Sequence, residues 1–158
     1  MSPNPNKLAS QLTAENAAWL ALIGVLGEEE RALVDDNADR LPALNATKLD
    51  RLHAASELAR ARLAALREAG FTPDSGGMDN WLAQHGTPTA RTDWHSLRVL
   101  ENEARASNAR VGKLIEMRLA ANRQALNVLM HAATGKGGLY DQAGQAVAAH
   151  ANKPLTAA

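Results

Sequence analysis

Residues 92–133, TDWHSLRVLENEARASNARVGKLIEMRLAANRQALNVLMHAA, decide the fold. Apolar side chains recur at Leu97, Leu100, Ala104, Val111, Leu114, Ile115, Leu119, Leu126 and Leu129. Gaps of three, four or seven place them along one side of an α-helix. The interior holds no proline and is rich in Ala, Leu, Arg, Glu and Gln, all strong helix formers. At about 1.5 Å per residue, some forty residues make a rod of roughly 60 Å. Such a rod cannot hide its apolar stripe alone, so other helices must lie along it. The stripe also widens. From Leu97 to Val111 the apolar positions fall within an arc of roughly 60°, and from Leu114 to Met130 the arc grows to roughly 160°. The narrow part suits a helix-packing seam. The broad part exceeds what that seam needs, which leaves a fuller core, a self-dimer or a partner site as its purpose.

Working outward, the upstream chain supplies two more helices. Over about residues 7–35, Leu12, Trp19, Leu26 and Leu33 repeat every seven residues, with Leu22 and Ile23 between them, as in a coiled-coil seam. Gly24 and Gly27 inside this helix imply close helix approach or a slight bend, and Glu28, Glu29 and Glu30 read as a solvated acidic face. Asp35, Asp36 and Asn37 mark the first turn. The second helix, about residues 38–69, carries the stripe Leu41, Leu44, Leu49, Leu52, Ala55, Ala59, Leu63 and Leu66, and Gly70 caps its end. The connection 71–91 is rich in Gly, Pro, Thr and Ser. Within it a short helical turn, Met78 to Gln84, should put Trp81 and Leu82 on the end of the bundle. Thr92 or Asp93 would cap the long helix, about 92–133. Gly135, Gly137 and Gly138 end it, and the tail 134–158 is expected to be flexible. The fold class is therefore all-α: one domain over residues 1–158, an antiparallel, coiled-coil-like three-helix bundle with a short helical insert between helices two and three.

Composition agrees. The 158 residues are 46% hydrophobic but only 3% aromatic, so Ala and Leu carry the apolar content. Lys plus Arg and Asp plus Glu number 17 each, so no overall field draws in nucleic acid. Residues 1–90 are net −4 and residues 91–158 net +4, which helps helices pair. With no cysteine, disulfides, thiol nucleophiles and Cys-ligated zinc are excluded. The opening MSPNPNK lacks a signal-peptide pattern, and no apolar run approaches the ~18 residues that span a membrane. The expectation is a cytoplasmic protein without membrane insertion.

Chemistry-bearing motifs are weak. Asp50-x-x-His53 is one degenerate copy of a motif that di-metal bundles need twice, with two further glutamates. His85, His95, His131 and His150 have no ligand spacing. Gly135-Lys136-Gly137-Gly138 lacks the P-loop's first glycine, since Met130 stands there, and its Ser or Thr, since Gly137 stands there. The six serines sit in no nucleophile elbow. Arg98, Arg105, Arg110, Lys113, Arg118 and Arg123 occupy several faces among glutamates, which is a solvated surface rather than a nucleic-acid stripe. No enzyme activity, metal or cofactor is expected.

The segment NARVGKLIEMRLAANRQALNVLMHAATGKGGLYDQAG, residues 108–144, does carry a pattern. Asn108 precedes Leu114-Ile115, then Arg118-Leu119, then Gln124-Ala125-Leu126 with Leu129. A glycine-rich break and Leu139-Tyr140 with Gly144 follow. The sequence LIGVLGEEERALVDDNADRLPALNATK forms an upstream acidic hairpin. This arrangement resembles FlgN-type flagellar export chaperones. The resemblance implies a non-enzymatic cytoplasmic chaperone of type III protein export. Its guests would be the C-terminal helical segments of hook–filament junction proteins of the FlgK and FlgL type, kept from early assembly and delivered to the export gate. It implies substrate binding on the end of the last helix and the tail, and gate docking through Tyr140. The residues alone independently point to Leu114, Ile115, Leu119, Leu126, Leu129 and Met130 as a groove for an amphipathic helix, with Leu139 and Tyr140 closing over the guest. A self-associating scaffold, a homodimer through the same patch, is the alternative.

Overall fold

The computed structural model describes residues 5–135. The described residues form four α-helices and no strand: α1 Pro5–Val34, α2 Leu41–Glu68, α3 Ser75–His85 and α4 Pro88–Gly135, with a 3-10 turn Ala38–Arg40 before α2. The chain divides into two compact units, Met1–Ile115 and Glu116–Ala158.

The first unit is built on an uninterrupted heptad seam. Along α1 the inward positions are Leu8, Leu12, Glu15, Trp19, Leu22, Leu26, Glu29 and Leu33, at gaps of four and three. Two of these eight are glutamates, and both Glu15 and Glu29 are buried. The matching seam of α2 supplies Arg62 and Lys48. Arg62 donates to Glu15 at 2.8 and 3.2 Å, and Lys48 donates to both oxygens of Glu29 at 2.9 and 3.1 Å. With Lys7 beside Glu68 at 3.7 Å, these pairs fix α2 antiparallel to α1. Glu29 therefore does not belong to a solvated face as the run of three glutamates implies. Leu49 and Leu52, read from sequence as part of the buried stripe, are about half exposed. The sequence reading followed the leucines, whereas the true seam of α2 runs through Leu44, Lys48, Ala55, Arg62 and Leu66.

Local chemistry sets the breaks. Asp36 takes a left-handed φ of 58°, and the Asn37 amide donates back to Ala32 at 2.9 Å, ending α1. Gly70, at φ 84°, ends α2 in a Schellman turn: its amide reaches the Arg67 carbonyl and the Phe71 amide reaches Leu66. Asp74 caps α3 by accepting the Gly77 amide at 2.7 Å. A Cβ at Gly77 would collide with the Thr72 carbonyl, so the turn requires glycine there. The long helix starts at Pro88, earlier than Thr92. Thr87 caps it by accepting the Ala90 amide at 3.1 Å, and Pro88 takes the first helical position, where no donor is needed. Asp93, expected as a cap, instead lies inside α4 and accepts the Thr13 hydroxyl at 2.9 Å.

The core of this unit gathers Leu8 and Leu12 of α1, Leu66 of α2, Met78, Trp81 and Leu82 of α3, and Trp94 and Leu97 of α4. Each such side chain contributes on the order of 1.5–3 kcal/mol on burial. A second cluster joins Leu22 and Leu26 to Ala104. Asp93 near Thr13 and Arg110 near Glu30 at 3.5 Å make α4 run in the same direction as α1. A Cβ at Gly24 or Gly27 would meet nothing within 4 Å, so these glycines do not mark a close helix approach.

Candidate partner-binding surface

Within the first unit, α4 buries Ala90, Trp94, Leu97, Leu100, Ala104, Ser107 and Val111. This is a narrow stripe at gaps of three and four, as the sequence predicts for that part. Burial then stops. Leu114 is half-buried and Ile115 is exposed.

In the second unit, the described residues continue α4 to Gly135. All of them are exposed except the half-buried Arg118. Met117, Leu119, Leu126, Val128, Leu129 and Met130 are each between 50% and 67% exposed. The sequence reading named four of these six and missed Met117 and Val128. At 100° per residue those two lie on the far border of the stripe, beyond Leu114, and widen the apolar arc to roughly 220°. Both are plain in the sequence as apolar residues at helical spacing, but they fall outside an arc that starts at Leu114. An open furrow lined by Ala121, Gln124, Ala125, Val128 and Leu129 runs along this newly included side. A helix apolar over so much of its circumference is ordinarily covered, and contiguous apolar surface of this kind marks protein interaction sites. Leu139 and Tyr140 lie outside the described residues.

The other candidates do not assemble. His53, His85, His95 and His131 are exposed and scattered, and no group of three potential metal ligands occurs among the described residues. No described helix is long and apolar enough to cross a membrane. Two of the three tryptophans are structural: Trp81 and Trp94 are buried, and Trp94 donates to Asp79 at 2.8 Å. The Asp74 carboxyl is displaced below its ordinary value. The Gly77 amide and the Thr72 hydroxyl hold it low, which is a capping effect far along the chain from the exposed face.

An all-helical chain whose last helix carries bare apolar surface has many possible relatives, and comparison narrows them. The family model described as FlgN protein matches residues 1–148. The chain belongs to the FlgN family. Members of the FlgN family are chaperones of flagellar export, a family not known for enzymatic activity, and they bind flagellar hook-associated proteins. The matched span includes all of α1 to α4 and most of the tail. No curated protein and no solved structure was found to match the chain. Membership therefore gives the class of work this FlgN chain performs, and its own residues must indicate how.

Proposed function

We propose that this chain is a cytoplasmic chaperone that holds the C-terminal helical segments of FlgK- and FlgL-type junction proteins, prevents their premature assembly and delivers them to the type III export gate. The reading takes the whole chain as one working domain, with α1, α2 and α4 as an antiparallel three-helix bundle that presents the guest-binding end of α4. One observation carries it: Leu119, Leu126, Leu129 and Met130 are half to two-thirds exposed on a helix that buries its stripe elsewhere. An amphipathic guest helix laid against this face, continuing over Leu114 and Ile115, would bury it by helix-in-groove docking. Met117 and Met130 let the surface adapt to more than one guest. Leu139 would add to the grip, and Tyr140 would serve the gate.

Leu119→Asp and Leu126→Asp place a charge on that face, and each is expected to abolish co-purification with the guest's C-terminal segment. Both positions are exposed, so circular dichroism should report an unchanged fold. Folded variants that bind normally would overturn the assignment. The scaffold alternative shares the same patch. Size-exclusion chromatography separates the two: a chaperone shifts to a heterocomplex when the guest segment is added, and a scaffold is self-associated before it.

A further inference from the structure

The first unit contains a cavity that its own side chains leave unfilled, of about 200 Å³. Trp19, Leu22 and Leu26 of α1, Leu52 of α2 and Ala104 of α4 line it with apolar surface, and Asn108 adds a polar side chain. An apolar cavity of about 150 Å³ holds a benzene ring, so this one has room for a phenyl or branched aliphatic group. Two features make it more than a packing gap. The charged residues that line the cavity, Lys48 and Arg105, are both cations. Lys48 is neutralised by Glu29, which leaves the exposed Arg105 guanidinium as the uncompensated charge. Finally, Leu49 and Leu52 lie exposed on the same side of α2, so apolar surface extends past the opening.

We propose that this cavity is a second anchor point for a polypeptide guest, taking one apolar side chain of a guest helix that bears an Asp or Glu within one turn of it. The apolar group fills the space beside Leu52, and the carboxylate meets Arg105. A free small molecule would fill the hole but leave Leu49 and Leu52 bare, which favours a helix as the occupant. This inference rests on the guest-binding reading above and adds to it a demand on the guest's sequence.

The test uses the full chain and the C-terminal helical segment of a FlgK-type protein, with affinity measured by calorimetry. Leu52→Glu and Arg105→Glu are each expected to weaken binding about tenfold with unchanged circular dichroism, while Arg105→Lys retains it. In parallel, sodium 4-phenylbutyrate is titrated against 15N-labelled protein. The Trp19 indole signal, assigned with Trp19→Phe, should move saturably, and less so in Arg105→Glu. If Leu126→Asp abolishes guest binding but the Leu52 and Arg105 variants bind like wild type, the second anchor is wrong and the first site stands. If the segment does not bind the wild-type chain at all, the guest-binding reading fails and takes this proposal with it. A Trp19 signal that ignores phenylbutyrate overturns the proposed ligand chemistry, and phenylbutyrate binding without any effect of the variants on the guest assigns the cavity to a small amphiphile instead.

Discussion

The buried Glu15–Arg62 pair is the residue-scale feature on which stability is most exposed. Both side chains are nearly inaccessible, their two hydrogen bonds are bidentate, and the Arg62 guanidinium also lies 5.0 Å from the centre of the Trp94 ring. Taking two charges out of water costs several kcal/mol per ion, so the pair adds little net stability, but breaking it strands a charge. Glu15→Ala or Arg62→Ala is expected to cost about 3–5 kcal/mol, and Glu15→Leu combined with Arg62→Met far less than the sum. Urea denaturation of the two single variants and the double variant checks this, and additive losses would refute it. Asp74 gives a pH-dependent counterpart. Its carboxyl is held below the ordinary value of about 3.9 by the Gly77 amide first and the Thr72 hydroxyl second. A carboxyl depressed in the folded state gives its stabilisation in full above the unfolded value and loses it as pH falls through the folded one. Asp74→Ala should therefore melt at a lower temperature than wild type at pH 7, and the gap should close as both are acidified below the carboxylate range. A gap that stays constant with pH would show that the ionised cap is not its source.

At the scale of elements, apolar periodicity made most of the architecture legible, and charge hid the rest. The α1 repeat of Leu12, Trp19, Leu26 and Leu33 is real, and so is the turn after Val34, because Asp36 tolerates the left-handed conformation that the chain reversal needs. Legibility failed where the seam is ionic. Glu29 looks solvated beside Glu28 and Glu30, and Lys48 looks like surface, because neither shows its partner until the two helices are set in register. That blindness also rotated the expected stripe of α2 onto Leu49 and Leu52. The start of α4 was lost for a different reason: Thr87-Pro88 is a cap followed by a first-turn proline, and proline in a Gly/Pro-rich stretch reads more readily as loop. Gly24 and Gly27 sharpen the lesson, since a helical glycine invites a packing explanation that the open space around both denies. Each then carries only its intrinsic penalty, and Gly24→Ala and Gly27→Ala should each stabilise the protein by about 0.5–1 kcal/mol. Thermal melts that fall instead of rising would mean that a bound partner or a bend uses these positions.

At the scale of the whole molecule, the described buried core and the broad exposed apolar face occupy different parts of the sequence. Among the described residues every buried one lies at or before Val111, whereas the broad apolar face is exposed from Ile115 to Met130. That division has a physical logic: a surface that must accept a guest cannot also be filled by its own core, and a helix can carry both only by changing the width of its stripe along its length. The two functions should then come apart experimentally. A chain ending after Ile115 retains every buried side chain among the described residues and the Glu15–Arg62 and Glu29–Lys48 pairs, so it is expected to unfold in one cooperative transition close in midpoint to that of the full chain. It lacks Leu119, Leu126, Leu129 and Met130, so it should fail to capture the FlgK-type segment on the exposed face. Differential scanning calorimetry and calorimetric titration on the same two preparations measure both halves. Loss of the cooperative transition on truncation would mean that residues after Ile115 hold the fold together, and retained full affinity would move the guest site off the end of α4 and into the first unit.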